Sequence, residues 1–235
     1  MYLKSCAVIT KKRNAFPFTI PSLRQLETLT FPTNVTFFVG ENGSGKSTLL
    51  EGIAWQCGFH TAGGSRNHLY DVHKSSSDMG AYLRLAWLPK ITRGFFLRAE
   101  TFYQFAEHLD QMESDKRYAN YGGESLLDQS HGESFLTLFT QAFKGKAIYL
   151  LDEPEAALSP TRQLSLLRIM KDLEHEAQFI IATHSPILLG YPHATIYEFD
   201  ETGINEVQYE ETTHYIVTKQ FLNARDVMLK HLFED

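Results

Sequence analysis

Apolar and polar positions along the chain fall into two recurring patterns. Near-continuous apolar runs of strand length occur in "NVTFFVG", "KAIYLLDE" and "AQFIIATH", and such runs are typical of strands covered on both faces of a parallel sheet. Helical stretches are predicted between them, at about 45–56, at about 132–143 and in "SPTRQLSLLRIMKDLEHE", which starts on Ser159 and Pro160. Strands that alternate with helices predict an α/β fold with a mostly parallel sheet flanked by helices.

The segments between these elements are more varied. Residues 60–80 are polar and rich in Gly and Ser, which predicts a long loop. "AYLRLAW" and "RGFFLRAE" are interpreted as two strands that could pair as a hairpin. "ATIYEFDETGINEVQY" predicts a strand, a turn and a strand, and residues 213–233 predict one or two helices. We therefore expect one domain over 1–235, with a core of 1–100 and 131–235 and a small helical insertion at about 101–130.

Composition and charge restrict the class of protein. The chain has 235 residues, enough for one substantial core, and its net charge of −6 argues against a surface that grips nucleic acid throughout. Two cysteines cannot form a disulfide framework. No signal peptide and no apolar run of about 18 residues is recognisable. A reducing, cytoplasmic setting is the expectation.

The strongest chemical signal is a glycine-rich loop between a strand and a helix. Residues 40–47, "GENGSGKS", fit the phosphate-loop pattern G-x-x-x-x-G-K-[ST]. Its glycines let successive N–H groups turn inward around an anion, and the helix N-terminus adds positive potential. We expect Lys46 to reach the β- and γ-phosphates of a nucleotide and Ser47 to ligate Mg²⁺. The predicted nucleotide-binding residues of this loop are Gly40, Asn42, Gly43, Ser44, Gly45, Lys46, Ser47 and Thr48.

Two acidic residues follow the apolar strand in "AIYLLDEPEAALSP". Asp152 is predicted to hold Mg²⁺ beside Ser47, and Glu153 is predicted to act as the general base or to orient the attacking water. The alternative is an acidic strand end at a surface turn. The phosphate loop upstream favours the metal and catalytic interpretation.

His184 ends the next buried strand, in "FIIATHSP". Ligands of parallel α/β sheets gather outside the carboxyl ends of strands, so His184 should share an edge with Lys46 and Asp152. There it could contact the γ-phosphate or orient the water. The alternative is a structural histidine at the turn before Pro186. The other histidines lack a close metal-ligand spacing, so no zinc site is predicted.

Four motifs stand in the order expected of an ABC-type ATPase. "FFVGENGSGKSTLL", "SHGES", "YLLDEPEAALSP" and "IIATHSP" resemble the Walker A loop, the signature motif, the Walker B strand with its catalytic Glu, and the switch histidine. The chain is most similar to the stand-alone, soluble predicted ATPases of the SMC/RecF-like branch, often labelled AAA family ATPases. The resemblance spans about 16–232.

The signature resemblance implies that Ser130, Gly132 and Glu133 contact the nucleotide of a second subunit. His131 stands where the transporter-type signature has a Gly, and its role is open. The resemblance also places a Q-loop residue near Glu100, which could bind Mg²⁺ or be a plain surface Glu. Phe16 and Phe18 lie where an adenine-stacking aromatic could occur, or belong to the core.

This resemblance implies ATP and Mg²⁺ as cofactors and a head-to-tail homodimer that closes on two ATP molecules and drives an unknown protein partner. DNA repair or phage defence are candidate roles, and nucleic acid is a conceivable partner, although "ITKKRN" is the one basic cluster in the sequence. The main alternative is the nucleotide-binding subunit of a membrane transporter. A regulator that binds ATP but barely hydrolyses it is a further alternative.

Overall fold

The computed structural model describes residues 1–59, 78–111, 125, 127 and 131–234, and for 78, 103, 104, 108 and 131 it describes the backbone alone. In chain order the strands are β1 (Leu3–Val8), β2 (Thr28–Thr30), β3 (Val35–Val39), β4 (Leu83–Trp87), β5 (Gly94–Arg98), β6 (Ala147–Asp152), β7 (Ala177–Ala182), β8 (Thr195–Phe199) and β9 (Ile204–Val207). The α-helices are α1 (Pro21–Arg24), α2 (Lys46–Cys57), α3 (Phe102–Gln111), α4 (His131–Ala142), α5 (Pro160–Leu173), α6 (Pro186–Leu189) and α7 (Thr213–Phe233).

The larger sheet has the order β5-β6-β7-β3-β8-β9. Its first five strands run parallel, and β9 returns antiparallel to β8 after a short turn. The α/β fold with a mostly parallel sheet flanked by helices is therefore confirmed. Because parallel strands end at the same edge, the residues that follow β3, β6 and β7 lie together there.

The smaller sheet pairs β2, β1 and β4 antiparallel. The predicted pairing of β4 with β5 is wrong, since β5 lies in the larger sheet beside β6. The burial patterns agree with this separation. β4 alternates between buried or half-buried positions and exposed ones, as a strand with one covered face does, whereas β5 is buried through its centre.

The side chains of alternate strand residues pack in two apolar cores, one on each face of the larger sheet. Phe37 and Tyr149 belong to the core shared with α4 and α5, and Phe38 and Ile148 belong to the core shared with α2. These strand positions are at most 2% exposed. The sheet is therefore covered on both sides, as the continuous apolar runs predict.

Helix α3 is the longest described segment of the predicted insertion. Its apolar face is buried, and the Phe102 ring lies 4.2 Å, centroid to centroid, from the ring of Phe135 on α4. This contact ties the start of α4 to the helix that follows β5. The division into core and insertion stays a prediction.

Helix α7 contains one residue with non-helical backbone angles, Ala224, which divides the segment predicted as one or two helices. Thr212 caps its start, and its side chain accepts a hydrogen bond from the Tyr215 N–H at 3.4 Å. Across the described part of the chain, no helix is both long and apolar enough to cross a membrane.

Candidate functional site

The glycine-rich loop joins β3 to α2 and has the backbone shape that its glycines predict. Gly40 has a φ of 141° and Gly45, the residue before α2, has a φ of 101°. A Cβ atom at Gly40 would overlap the carbonyl oxygen of Phe199 at the end of β8. Both the angle and the close approach require glycine at the start of the loop.

Lys46 is buried at the first position of α2. Its ammonium donates hydrogen bonds to the carbonyl oxygens of Gly40 at 2.7 Å and Glu41 at 2.9 Å. Burial lowers the pKa of Lys46, and the neighbouring carboxylates of Glu153 and Asp152 act in the opposite direction. The lysine therefore lies inside the loop, where a phosphate bound by the loop would meet it.

Ser47 and Asp152 lie in contact, as the sequence predicts for a shared metal. The Ser47 hydroxyl donates to Asp152 Oδ1 at 2.8 Å. Asp152 is the last residue of β6 and is 5% exposed. Burial raises the pKa of Asp152 to about 6, and the Arg98 guanidinium and the Ser47 hydroxyl oppose that rise.

Arg98 is a site residue that sequence reasoning missed. It ends β5 and pairs in register with Asp152, and its guanidinium is 3.5 Å from Asp152, 3.5 Å from Glu51 on α2 and 3.2 Å from Glu100. The Glu100 side chain is mostly exposed and lines a cavity of about 220 Å³ together with Ser47 and Asp152. Glu100 is thus near the predicted metal position, with its carboxylate held by Arg98.

Glu153 leaves β6 in a left-handed conformation, with a φ of 51°. Its backbone N–H donates to the carbonyl of Ala182 at 2.9 Å, which keeps the strand end in place. Its half-exposed carboxylate lies 3.6 Å from Nε2 of His184. The predicted base and the predicted switch histidine are therefore neighbours.

His184 is held from two directions. Its backbone N–H donates to the buried carboxylate of Glu155 at 2.5 Å, and burial raises the pKa of Glu155. Its ring Nδ1 lies 2.9 Å from Nε2 of His214, in the first turn of α7. Burial lowers the pKa of both histidines, and the Lys46 cation adds to this effect. Both rings are therefore expected to be neutral at pH 7.

The tip of the loop is open. Asn42 and Gly43 are exposed, and Thr48 is half-buried in the first turn of α2. A second cavity, of about 370 Å³, lies between residues 40–44 and the end of β8. Of the two aromatic candidates for adenine, Phe18 is 1% exposed and belongs to the core, whereas Phe16 is 51% exposed.

The signature segment is described in part. Ser130 lies outside the described residues, and α4 begins at His131, whose side chain is not described. Arg162, near the start of α5, is 3.6 Å from the carboxylate of Glu133, and its guanidinium lies where a Cβ of Gly132 would stand. Arg162 was not predicted from the sequence, because no motif spacing links it to this helix.

The fold and the motif order define the class of protein. One match is to a family described as "AAA domain, putative AbiEii toxin, Type IV TA system", over residues 118–190, and another is to a family described as "AAA domain", over 16–86. The first range holds β6 and His184, and the second holds the glycine-rich loop. The fold, the motif order and these two matches support a P-loop ATPase of the ABC/AAA type.

Solved structures agree on the fold. The ADP conformation of MJ1267, an ATP-binding cassette of an ABC transporter, is 17% identical, with a TM-score of 0.54 over 100% of both chains. The cbiO1 protein of Clostridium perfringens, part of the transporter complex cbiONQ, is 16% identical, with a TM-score of 0.53 over 100% of both chains. The dimeric bacterial transporter cassette MJ0796 is 14% identical, with a TM-score of 0.50 over 88% of this chain and 98% of that one. At these identities the likeness concerns the fold alone.

No curated protein matches the chain in a sequence comparison.

Proposed function

We propose that this protein binds ATP with Mg²⁺ and hydrolyses the bond between its β- and γ-phosphates, which yields ADP and phosphate. The observation that carries the proposal is the hydrogen bond from Ser47 to Asp152 at 2.8 Å, made beside the buried ammonium of Lys46. A hydroxyl and a carboxylate are oxygen ligands that suit Mg²⁺, which usually keeps several waters and binds substrate phosphates as well. The residues present therefore fit the metal that the fold family implies.

Each residue of the edge has a proposed role. The N–H groups of the glycine-rich loop and Lys46 bind the phosphates, and Ser47 and Asp152 would hold the metal. Bound Mg²⁺ supplies positive charge that offsets the charge of the β- and γ-phosphates. Glu153 orients the attacking water and accepts its proton, and His184 donates a hydrogen bond toward the γ-phosphate.

We further propose that two copies close head to tail on two ATP molecules. Gly132 and Glu133 lie in the first turn of α4, and the N-terminal end of a helix favours an anion. The glycine-rich loop of the same chain already provides one phosphate cradle, so this second one is assigned to the nucleotide of the partner. The dimeric cassette MJ0796 supports the proposal by its fold.

Glu153→Gln tests the catalytic assignment. The amide keeps the size of the side chain but cannot accept a proton, so we expect ATP binding within about 3-fold of the unaltered protein and phosphate release slower by about 100-fold or more. Size-exclusion chromatography with ATP and Mg²⁺ should then show an accumulated dimer. Glu176→Gln is the matched control, because Glu176 is exposed at the opposite end of the sheet. Turnover by Glu153→Gln at the unaltered rate would contradict the assignment.

The cycle is proposed to drive or switch a protein partner in a reducing, cytoplasmic setting. Cys6 and Cys57 are buried and form no disulfide, which supports that setting. The first matched family has "Type IV TA system" in its description, which supports a role in defence.

DNA-stimulated phosphate release that weakens with added salt would support a nucleic-acid partner, whereas co-purification with a membrane protein would favour the transporter alternative.

A further inference from the structure

The His184–His214 contact has no counterpart among the motifs of the site. His214 comes 30 residues after His184, in the first turn of α7, and the two rings lie 5.0 Å apart between centroids. We propose that His214 is a positioning residue that fixes the tautomer of His184, so that His184 presents an Nε2–H toward the γ-phosphate. The inference rests on the proposed function, because it concerns the histidine assigned to that phosphate.

The tautomer follows from the groups that face each nitrogen. His184 Nε2 lies 3.6 Å from the carboxylate of Glu153, and a phosphate oxygen would be a further acceptor on that side. A lone pair on Nε2 would oppose these oxygens, so Nε2 is the protonated nitrogen. His184 Nδ1 is then the acceptor, and the hydrogen between the rings belongs to Nε2 of His214.

The tautomer of His184 matters for ligand binding because its Nε2 atom is buried. Nε2 of His184 is enclosed by protein and has no hydrogen-bond partner among the described residues. A buried N–H without a partner costs free energy, and a ligand oxygen placed against it recovers that cost. The opposite tautomer would place a lone pair there instead and would weaken phosphate contact and water orientation together.

Several contacts fix the start of α7, and they hold His214 next to His184. Thr212 is fully buried and caps the helix. The Tyr209 hydroxyl donates to the carbonyl of Pro186, two residues after His184, at 2.9 Å, and the Tyr209 and Tyr215 rings lie 4.6 Å apart. The Thr213 hydroxyl donates to Glu198 on β8 at 3.3 Å. The start of α7, which carries the His214 donor, is therefore fixed to the segment after β7 and to β8.

Two variants of nearly equal volume separate the hydrogen bond from the packing. His214→Gln keeps an amide N–H that can donate to Nδ1 of His184, whereas His214→Met keeps a similar shape without a donor. We expect kcat of His214→Gln to stay within about 5-fold of the unaltered protein. We expect His214→Met to lose roughly 10- to 100-fold in kcat, with KM within about 3-fold.

The decisive measurement is ¹⁵N NMR of labelled histidine, made without nucleotide. His184 should be the Nε2–H tautomer in the unaltered protein and in His214→Gln, and a mixture of tautomers in His214→Met. If His214→Met does not fold, His214→Phe replaces it in the same comparison. A donor-free variant in which His184 remains fully the Nε2–H tautomer, or which retains the full kcat, would overturn the inference.

The two proposals fail in different ways. If the unaltered protein releases no phosphate but the ¹⁵N spectra change as expected, the proposed hydrolysis fails and the positioning role stands. If hydrolysis occurs and the spectra do not respond to residue 214, the positioning role fails and the hydrolysis stands.

Discussion

Replacing Asp152 by Asn should make the protein more stable in the absence of metal and nucleotide. The carboxylate is 5% exposed at the end of β6, and burial raises its pKa to about 6 against an ordinary value of 3.8. At neutral pH the fold therefore holds an ionised group that water would solvate better. Asn has the same shape and can still accept the hydrogen bond from Ser47.

The pKa shift sets the magnitude of this effect. A rise from 3.8 to about 6 corresponds to about 3 kcal/mol of unfolding free energy at pH 7.5. For a chain of this size that equals roughly 6–12 °C in Tm. Because the folded pKa is the higher one, protonation stabilises the fold below pH 3.8, and this contribution is lost as the pH rises through 6. The gain in unfolding free energy from Asp152→Asn should thus fall by pH 5 to about half of its value at pH 7.5.

The assay is thermal unfolding at pH 7.5 and pH 5 in buffer with a chelator, repeated with ATP and Mg²⁺. Asp172→Asn is the matched control, because Asp172 lies exposed on α5 in an ion pair with Arg168 and should change stability by less than about 0.5 kcal/mol. ATP with Mg²⁺ should raise the Tm of the unaltered protein and much less that of Asp152→Asn. An Asp152→Asn protein that is no more stable than the unaltered one at pH 7.5 would refute the reasoning.

Two further substitutions test the loop and the proposed dimer. Gly40→Ala should abolish ATP binding and lower the Tm, because its Cβ would overlap the Phe199 carbonyl. Gly203→Ala is the control, since Gly203 has a similar φ of 143° and open space around it. That variant should lose only about 1–2 kcal/mol of unfolding free energy, from backbone strain. Equal losses in the two variants, measured by thermal unfolding and nucleotide titration, would contradict the close-approach argument. Ser130→Arg should leave ATP binding by the monomer within about 3-fold but prevent dimer formation and turnover. An ATP-dependent dimer of that variant, seen by light scattering, would count against the proposed contact.

The shared edge of Asp152, Glu153 and His184 could be predicted because it follows from sheet geometry alone. Apolar runs on both sides of the motifs predict parallel strands, and the carboxyl ends of parallel strands meet at one edge. The register of β6 beside β7 sets Asp152 opposite Ala182, so that Glu153 and His184 follow as neighbours. The sequence order of the motifs is therefore enough to bring these groups together, without knowledge of any side-chain contact.

Arg98 and His214 could not be predicted, because each depends on which elements become neighbours. The position of Arg98 depends on β5 adding to the edge of the larger sheet rather than pairing with β4. The position of His214 depends on the β8–β9 turn, which directs α7 back across the end of β7. Neither arrangement has a fixed sequence spacing. A weak signal did exist in β5, whose central residues are apolar without alternation, and this is the pattern of a covered strand.

Folding stability and ligand binding draw on the same buried groups at this site. Lys46, Asp152 and Glu155 are each desolvated by the protein in a way that disfavours the charged form. Local bonds offset part of the cost: loop carbonyls for Lys46, Ser47 and Arg98 for Asp152, and the His184 N–H for Glu155. Arg98 also favours the ionised form of Asp152, which is the form that can hold a cation. Because phosphates beside Lys46 and Mg²⁺ beside Asp152 would oppose the remaining cost, ATP should stabilise this edge more than its contact area alone suggests.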